Sequence, residues 1–343
     1  MRIALDVMGG DHAPFSNIEG ALLYLNDYKN PQTQIILVGN KSIIEKTISK
    51  NKNLLHQIEI IHTTEIVEMD EKPSRIFRTK PNSSLVKCIE LLKNGIVDAV
   101  ISAGNTGALL TSSLFMLGKI DRILRPALAP YVPIENGGFI LCDAGANMDL
   151  KPQHLLQFAI MASSYLEIQT SIKSPRVGLI NIGIEEGKGN ELTKAAYTML
   201  KNNITNFTGN IESRYLLDGK VDVAVCDGFT GNIILKLTEG IFNNITKYIE
   251  KEINNQKFSN LDQISMSLKN RYDFEEYGGT PLLGINGIVM KCHGASSKKS
   301  IRNTIKSVKK FHDEDLINKI GKKMILHSDI FNKNKNHNEI QSA

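Results

Sequence analysis

An α/β fold, with a mostly parallel sheet wrapped by helices, is predicted by three observations. Short β-branched runs at 2–7, 34–38, 57–61, 97–101, 138–142, 177–182 and 221–226 alternate with helical patterns at 16–28, 41–50, 83–94, 106–118, 152–167 and 189–202. That rhythm is the one strand–helix–strand crossovers impose. Several of the runs are apolar on both faces, as in Val97-Asp98-Ala99-Val100-Ile101 and Val221-Asp222-Val223-Ala224-Val225-Cys226. Burial beneath two helix layers demands such a pattern. Finally, the runs end on glycine-containing turns, which in a parallel sheet gather at its carboxyl-terminal edge.

The first element shows the pattern most fully. Ile3 through Val7 is a buried-type strand, Gly9-Gly10-Asp11-His12 is a turn, and a helix follows. Ser16 and Glu19 have the spacing of a capping box, which predicts the helix start. A strand, a glycine turn and a helix start together bring backbone N–H groups up to an anion. Four later turns have the same shape: Ser102-Ala103-Gly104-Asn105-Thr106-Gly107, Asp143-Ala144-Gly145-Ala146-Asn147, Gly183 through Asn190, and Asp227-Gly228-Phe229-Thr230-Gly231-Asn232. One such turn is a folding device. Four at one sheet edge, each with a polar side chain attached, predict a pocket rich in backbone donors.

The alternation breaks at 233–271, a long helical stretch whose Ile241, Ile245, Tyr248, Ile249 and Ile253 share one stripe, followed by Leu261, Ile264 and Leu268. Tyr277-Gly278-Gly279-Thr280-Pro281 ends it. The expected organisation is a single domain over 1–330 with a helical tip at about 241–276, then a polar tail at 331–343 predicted to be disordered.

Composition narrows the function classes. The 343 residues are 41% hydrophobic and 22% charged, ordinary for a globular protein of this size. No apolar run reaches the roughly 18 residues a membrane span needs, and the amino terminus has no signal-like pattern, so a cytoplasmic protein is expected. The net charge of +5 is spread among acids and lacks interleaved aromatics, which argues against nucleic acid as a partner. Cys88, Cys142, Cys226 and Cys292 are scattered, without the spacing of a zinc site, and read as buried thiols.

Within the turns, Lys188 is the only lysine. Flanking glycines and the following helix start let it approach an anion, and the alternative is a solvated loop lysine. Asn232 follows Gly231 at a helix start, where its amide could meet an oxyanion or simply cap the helix. Asn190 is placed to cap the next helix. Asp6, Asp11 and Asp143 could gather a divalent metal, or hold loops by accepting N–H bonds. No GxGxxG, GxxxxGK[ST] or G-x-S-x-G motif is present, and the adjacent Cys292-His293 pair makes a poor dyad because neighbours on an extended chain point apart. Cys226 beside Asp227 is the best-placed thiol for a nucleophile. A metal- and nicotinamide-dependent dehydrogenase would need more arginine than Arg122 and Arg125.

Taken in order, Asp6 through Pro14, Asn82-Ser83-Ser84, Ser102 through Leu110, Arg125 through Leu128, Asp143 through Asn147, Lys188 through Leu192, Asp227 through Asn232, Tyr277-Gly278-Gly279 and His293-Gly294 resemble the PlsX family of bacterial phosphate acyltransferases. The resemblance implies transfer of a fatty acyl group from acyl carrier protein to inorganic phosphate, giving acyl phosphate for phospholipid synthesis, with no cofactor. It implies a fold similar to isocitrate and isopropylmalate dehydrogenases and to phosphotransacetylase, with a protruding helical tip, in a homodimer that is cytoplasmic and peripherally membrane-associated. The downstream partner would be a glycerol-phosphate acyltransferase. The family's catalytic lysine and asparagine carry over to Lys188 and Asn232. The substrate- and phosphate-binding set is read as Asp6, Gly9, Gly10, Asp11, His12, Gly104, Asn105, Thr106, Gly107, Asp143, Asn147, Gly189, Asn190, Asp227, Gly231 and His293.

Two features stay open at this level. The charge-laden 241–271 segment could lie in an anionic bilayer interface or pack in the dimer. Lys298, Lys299, Arg302, Lys306, Lys309 and Lys310 could dock the acidic carrier protein or form a solvated helix face.

Overall fold

The computed structural model describes residues 1–254 and 274–327. The chain divides into two compact units, Met1–Pro126 with Glu275 onward, and Ala127–Phe274. The predicted alternation is present in both.

Unit 1 begins with β1 (Arg2–Asp6), α1 (Phe15–Tyr28), β2 (Gln34–Gly39), α2 (Lys41–Ile48), β3 (Ile58–His62), α3 (Ile76–Thr79), α4 (Ser84–Lys93), β4 (Ala99–Ser102) and α5 (Thr106–Leu117). Strands β1, β2, β3 and β4 are mutually parallel, with Ile3 opposite both Ile35 and Ala99. Their side chains are almost entirely solvent-free in β1, β2 and β4, which explains the doubly apolar runs. The helix α1 starts one residue before Ser16, with Pro14 at the cap position and no side-chain cap bond. The expected Ser16–Glu19 capping box therefore does not form. Pro14, with φ of −85°, already presents a near-helical backbone to the first turn and lacks the N–H a cap would satisfy.

Unit 2 holds β5 (Ala127–Leu128), β6 (Tyr131–Ile134), β7 (Gly137–Cys142), α6 (Pro152–Thr170), β8 (Val177–Ile180), α7 (Glu191–Asn203), β9 (Phe207–Ile211), β10 (Val223–Val225) and α8 (Gly228–Asn254). Its five-stranded sheet has the order β6-β7-β10-β8-β9, parallel except for the β6–β7 hairpin. Val132, Phe139, Leu141, Ile180, Ile211 and Ala224 form one core on it. The chain then returns to unit 1 as β11 (Thr280–Leu283), β12 (Ile288–Lys291), α9 (Lys298–Asp313) and α10 (Leu316–Leu326). There β12 lies parallel beside β4 and antiparallel to β11.

The strand entries differ from the predicted ones for a shared reason. Asp98 accepts from the Arg2 N–H at 2.7 Å, and Asp222 accepts from the Arg176 N–H at 2.7 Å. Each aspartate closes the start of its neighbour, so β4 and β10 begin after it. Residues 241–254 of the expected tip are helical, in α8. The stripe positions Leu261, Ile264 and Leu268 and the tail 331–343 lie outside the described residues.

Candidate active site

Each unit gathers its glycine turns at the carboxyl-terminal edge of its own sheet, so the single edge expected from the sequence is two edges. Unit 1 carries the turns after β1 and β4 and the His293 turn after β12. Unit 2 carries those after β7, β8 and β10.

In unit 2, Asp143 organises the first turn. It is fully buried, and its carboxylate accepts from the N–H groups of Leu128, Ala146 and Asn147 and from the Asn147 amide, at 2.7–3.2 Å. Burial raises its pKa, against the lowering effect of these bonds. Helix α8 sits directly on this turn. A Cβ on Gly228 would come within 2.5 Å of the Asn147 carbonyl, and one on Gly231 within 1.9 Å of the Asp143 carbonyl. The two glycines are thus demanded by the close approach of helix to turn. Asp227 accepts from the Thr230 N–H at 2.9 Å and from its hydroxyl at 2.8 Å, holding the first turn of α8.

Asn232 consequently lies inside α8, not at its cap. Its half-buried side chain passes the Gly145 turn, where a Cβ would lie 3.6 Å from it, and makes no hydrogen bond among the described residues. Lys188 lies on the loop after β8, the strand directly paired with β10. Its side chain is half exposed, packs against Gly183 and stands 4.0 Å from Glu185. The loop is braced by Asn181, whose amide donates to the Lys188 carbonyl at 3.0 Å. Gly189 has φ of +95°, and a Cβ there would strike Thr193 and Asn181. Asn190 caps α7 by accepting from the Thr193 N–H at 2.9 Å. A cation and an unpartnered amide thus emerge from neighbouring strands at one edge.

Unit 1 is built the same way. Asp6 is buried and accepts from the hydroxyls of Ser84 and Ser102, each at 2.6 Å, and from the Met8 N–H at 3.2 Å. Burial raises its pKa, with the hydroxyl bonds opposing. The buried Asn17 amide donates to the Val7 and Gly9 carbonyls. A Cβ on Gly9 would collide with Asp6 and Gly104, and Gly10 takes φ of +105°. Asn105 caps α5 at 2.9 Å and donates to the Met69 and Glu71 carbonyls. Gly107 lies tight against Pro73, and Thr106 is exposed. Asp11 and His12, without side-chain hydrogen bonds among the described residues, line a cavity of about 520 Å³ with Phe15, Ser16, Ser297 and Lys298. His293 is exposed, and its Nδ1 accepts from the Ala295 N–H at 3.2 Å.

Asp6, Asp143, Asn105, Asn190 and Asp227 thus use their polar atoms to shape turns. Of the three aspartates weighed as metal ligands, Asp6 and Asp143 spend their carboxylates on N–H and O–H donors within their own units. Cys226 is buried, and desolvation raises its pKa well above that of a free thiol, which opposes a thiolate role. Sequence reasoning missed Asn17, Lys291 and the positioning work of Ser84 and Ser102. The one available signal was a lysine closing the apolar run Ile288-Val289-Met290-Lys291.

The profile of the family described as "Fatty acid synthesis protein" matches residues 1–319. A phosphate acyltransferase of Alkaliphilus oremlandii is 45% identical over 326 residues, covering 94% of this chain and 96% of that protein. The chain belongs to the PlsX family of phosphate acyltransferases. Another member, from Clostridium perfringens, is 42% identical over 330 residues, covering 94% of this chain and 97% of its own length. The PlsX fold is shared more widely. A phosphotransacetylase from Streptococcus pyogenes superposes with a TM-score of 0.61 at 14% identity, covering 92% of this chain and 94% of its own. A branched-chain phosphotransacylase from Enterococcus faecalis gives 0.55 at 13%, covering 90% and 99%.

Proposed function

We propose that this PlsX family member transfers a fatty acyl group from acyl carrier protein to inorganic phosphate. The observation that carries this reading is the pairing of β8 with β10, which brings the Lys188 loop and the Asn232 helix out side by side. Lys188 holds the phosphate dianion. A phosphate oxygen attacks the thioester carbonyl carbon, and negative charge builds on the carbonyl oxygen, where the Asn232 amide donates. Collapse of the tetrahedral intermediate breaks the C–S bond, leaving acyl phosphate and the carrier thiolate, which takes up a proton. The thioester supplies the driving force, so no cofactor is required. The unit 1 turns with Asp11 and His12 are read as substrate-side residues, His12 being the candidate proton carrier. His293 is read with them.

The basic residues of α9 are already engaged. Lys298 pairs with Glu19, Lys299 with Glu276, Arg302 with Asp27 and Lys309 with Asp313, at 2.5–3.2 Å. Carrier docking on that helix would therefore have to compete with internal partners. The homodimer reading draws support from α8, where Phe229, Ile233, Leu237, Ile241, Ile245 and Tyr248 form an exposed apolar stripe at helical spacing. No helix among the described residues is long and apolar enough to cross a membrane. Peripheral attachment would then use an amphipathic surface, and the acyl phosphate would pass to a glycerol-phosphate acyltransferase.

The test incubates the purified protein with long-chain acyl carrier protein and inorganic phosphate, trapping acyl phosphate as hydroxamate. Phosphate-dependent product from wild type, reduced by at least about a hundredfold in Lys188→Ala, is the expected result. Folded wild-type protein that makes no such product would sink the reading. A parallel arm with acetyl-CoA tests the alternative suggested by the phosphotransacetylase fold; a preference for acetyl-CoA would replace the carrier-protein donor.

A further inference from the structure

Asp6, Ser102 and Lys291 are register partners on three adjacent parallel strands, β1, β4 and β12. They form one polar rung at the carboxyl-terminal edge of unit 1, with exposures of 1%, 0% and 7%. Apart from the Ser84 hydroxyl on α4, which donates to Asp6, the connections from this rung lead into turns. Ser102 Oγ donates to Asp6 and accepts from the Gly104 N–H at 3.0 Å. The Lys291 ammonium donates to the Ala103 carbonyl at 3.2 Å and to the Cys292 carbonyl. The Ala103–Gly104 peptide is thereby fixed at both ends.

The Cys292–His293 peptide is fixed at its carbonyl alone. In a trans peptide the N–H points opposite to the C=O. Pinning the Cys292 carbonyl inward therefore aims the His293 N–H outward, where it has no acceptor among the described residues. The turns held by this rung also hold each other. Asp11 N–H donates to the Gly294 carbonyl at 2.8 Å, and Gly10 packs against Ala103 and Gly294. The Asp11–His12 segment they support lines the cavity described above.

A buried ammonium is a costly way to tie two carbonyls, since it gives up its hydration. Asp6 and Asp11 are the acidic groups that face it, and desolvation dominates their attraction and that of Cys292. What the two tied carbonyls leave facing outward is the His293 N–H, a fixed backbone donor of the kind that meets an anion.

We propose that Lys291 is a positioning residue that aims the His293 N–H of the unit 1 edge at a phosphoryl oxyanion. The phosphate acyltransferase reading enters only in identifying that anion with the acyl acceptor, inorganic phosphate. Lys291 acts through the Ala103 and Cys292 carbonyls, not by touching the substrate.

The experiment uses full-length wild type, Lys291→Met and Lys291→Arg, with two readouts. One is the steady-state KM for phosphate and, separately, for the acyl-carrier thioester. The other is the rise in Tm that inorganic phosphate gives without any thioester present. Lys291→Met is expected to raise the phosphate KM about tenfold, the worth of one charge-assisted hydrogen bond, and to require about ten times more phosphate for the same rise in Tm. The thioester KM should stay within about twofold, and Lys291→Arg should restore part of the loss. Unchanged phosphate KM and unchanged stabilisation in Lys291→Met overturn the proposal. So does a loss that falls equally on both substrates, or a wild type that phosphate does not stabilise.

If Lys291→Met does not fold, Ser102→Ala reads the same rung by freeing the Gly104 N–H. A raised phosphate KM supports the proposal, and an unchanged one overturns it. Wild type stabilised by phosphate but inactive in acyl transfer would remove the functional reading and leave the positioning role standing. Active wild type with indistinguishable variants would do the reverse.

Discussion

Gly231, in the first turn of α8, and Gly187, in the loop after β8, are both glycines of unit 2, yet the structure asks opposite things of them. A Cβ on Gly231 would lie 1.9 Å from the Asp143 carbonyl, whereas one on Gly187 would meet nothing within 4 Å. Gly231→Ala should cost about 3 kcal/mol or more, because neither the helix nor the saturated Asp143 turn can yield. Gly187→Ala should leave stability unchanged or raise it by a few tenths of a kcal/mol, through a less flexible unfolded chain. Urea midpoints at constant m-value would separate the two. Equal effects would mean that α8 does not seat on the turn as described. Asn232 illustrates the same point from the functional side: its place in the sequence suggests a cap, but Asp227 performs that task and leaves the amide unpartnered.

Strand entry is the element-scale feature that repeats. In unit 1, Asp98 accepts from the Arg2 N–H and returns its own N–H to the Arg2 carbonyl at 2.8 Å. In unit 2, Asp222 and Arg176 do the same, again at 2.8 Å for the return bond, and add two guanidinium contacts at 2.8 and 3.0 Å. Burial alone would raise the Asp222 pKa, but the Arg176 bonds and charge outweigh it and hold the group below its ordinary 3.8. A depressed folded pKa means that the unfolded chain binds the proton first as pH falls. The stabilisation is therefore complete above about pH 4 and disappears as the pH drops through the folded value. Asp222→Asn should lower Tm at pH 7 and flatten the acid limb of the Tm–pH curve relative to wild type. Parallel acid limbs for the two proteins would refute the coupling.

At the scale of the whole molecule, the exposed stripe on α8 is the feature one chain leaves unexplained. A 27-residue helix that shows Leu237 61% and Tyr248 66% exposed presents an apolar surface of the kind a second copy buries. Leu237→Glu with Ile241→Glu should shift the protein from dimer to monomer in light scattering while its far-ultraviolet circular dichroism stays native. A wild type already monomeric at tens of micromolar would end the dimer reading and turn attention to a lipid surface, tested by vesicle flotation.

The sequence by itself determined the α/β class, the order of most strands and helices, the buried cysteines and the family. Those follow from local signals: doubly apolar runs mark interior strands, and glycine–polar turns mark their ends. It also located Lys188 on its glycine loop and Asn190 at its cap, because both depend only on near neighbours. Only the tertiary structure decided that the turns divide between two sheets, since the β4–β12 and β8–β10 pairings join residues far apart in the chain. The short strands β5, β6, β9, β11 and β12 escaped the sequence pattern because their identity comes from the strands beside them. Pro14 overrode the Ser16–Glu19 spacing by supplying near-helical backbone geometry two residues before the predicted cap. The Asp6–Ser102–Lys291 rung was likewise invisible. Register across parallel strands is set by packing, and no local spacing announces that a carboxylate, a hydroxyl and an ammonium will share one row.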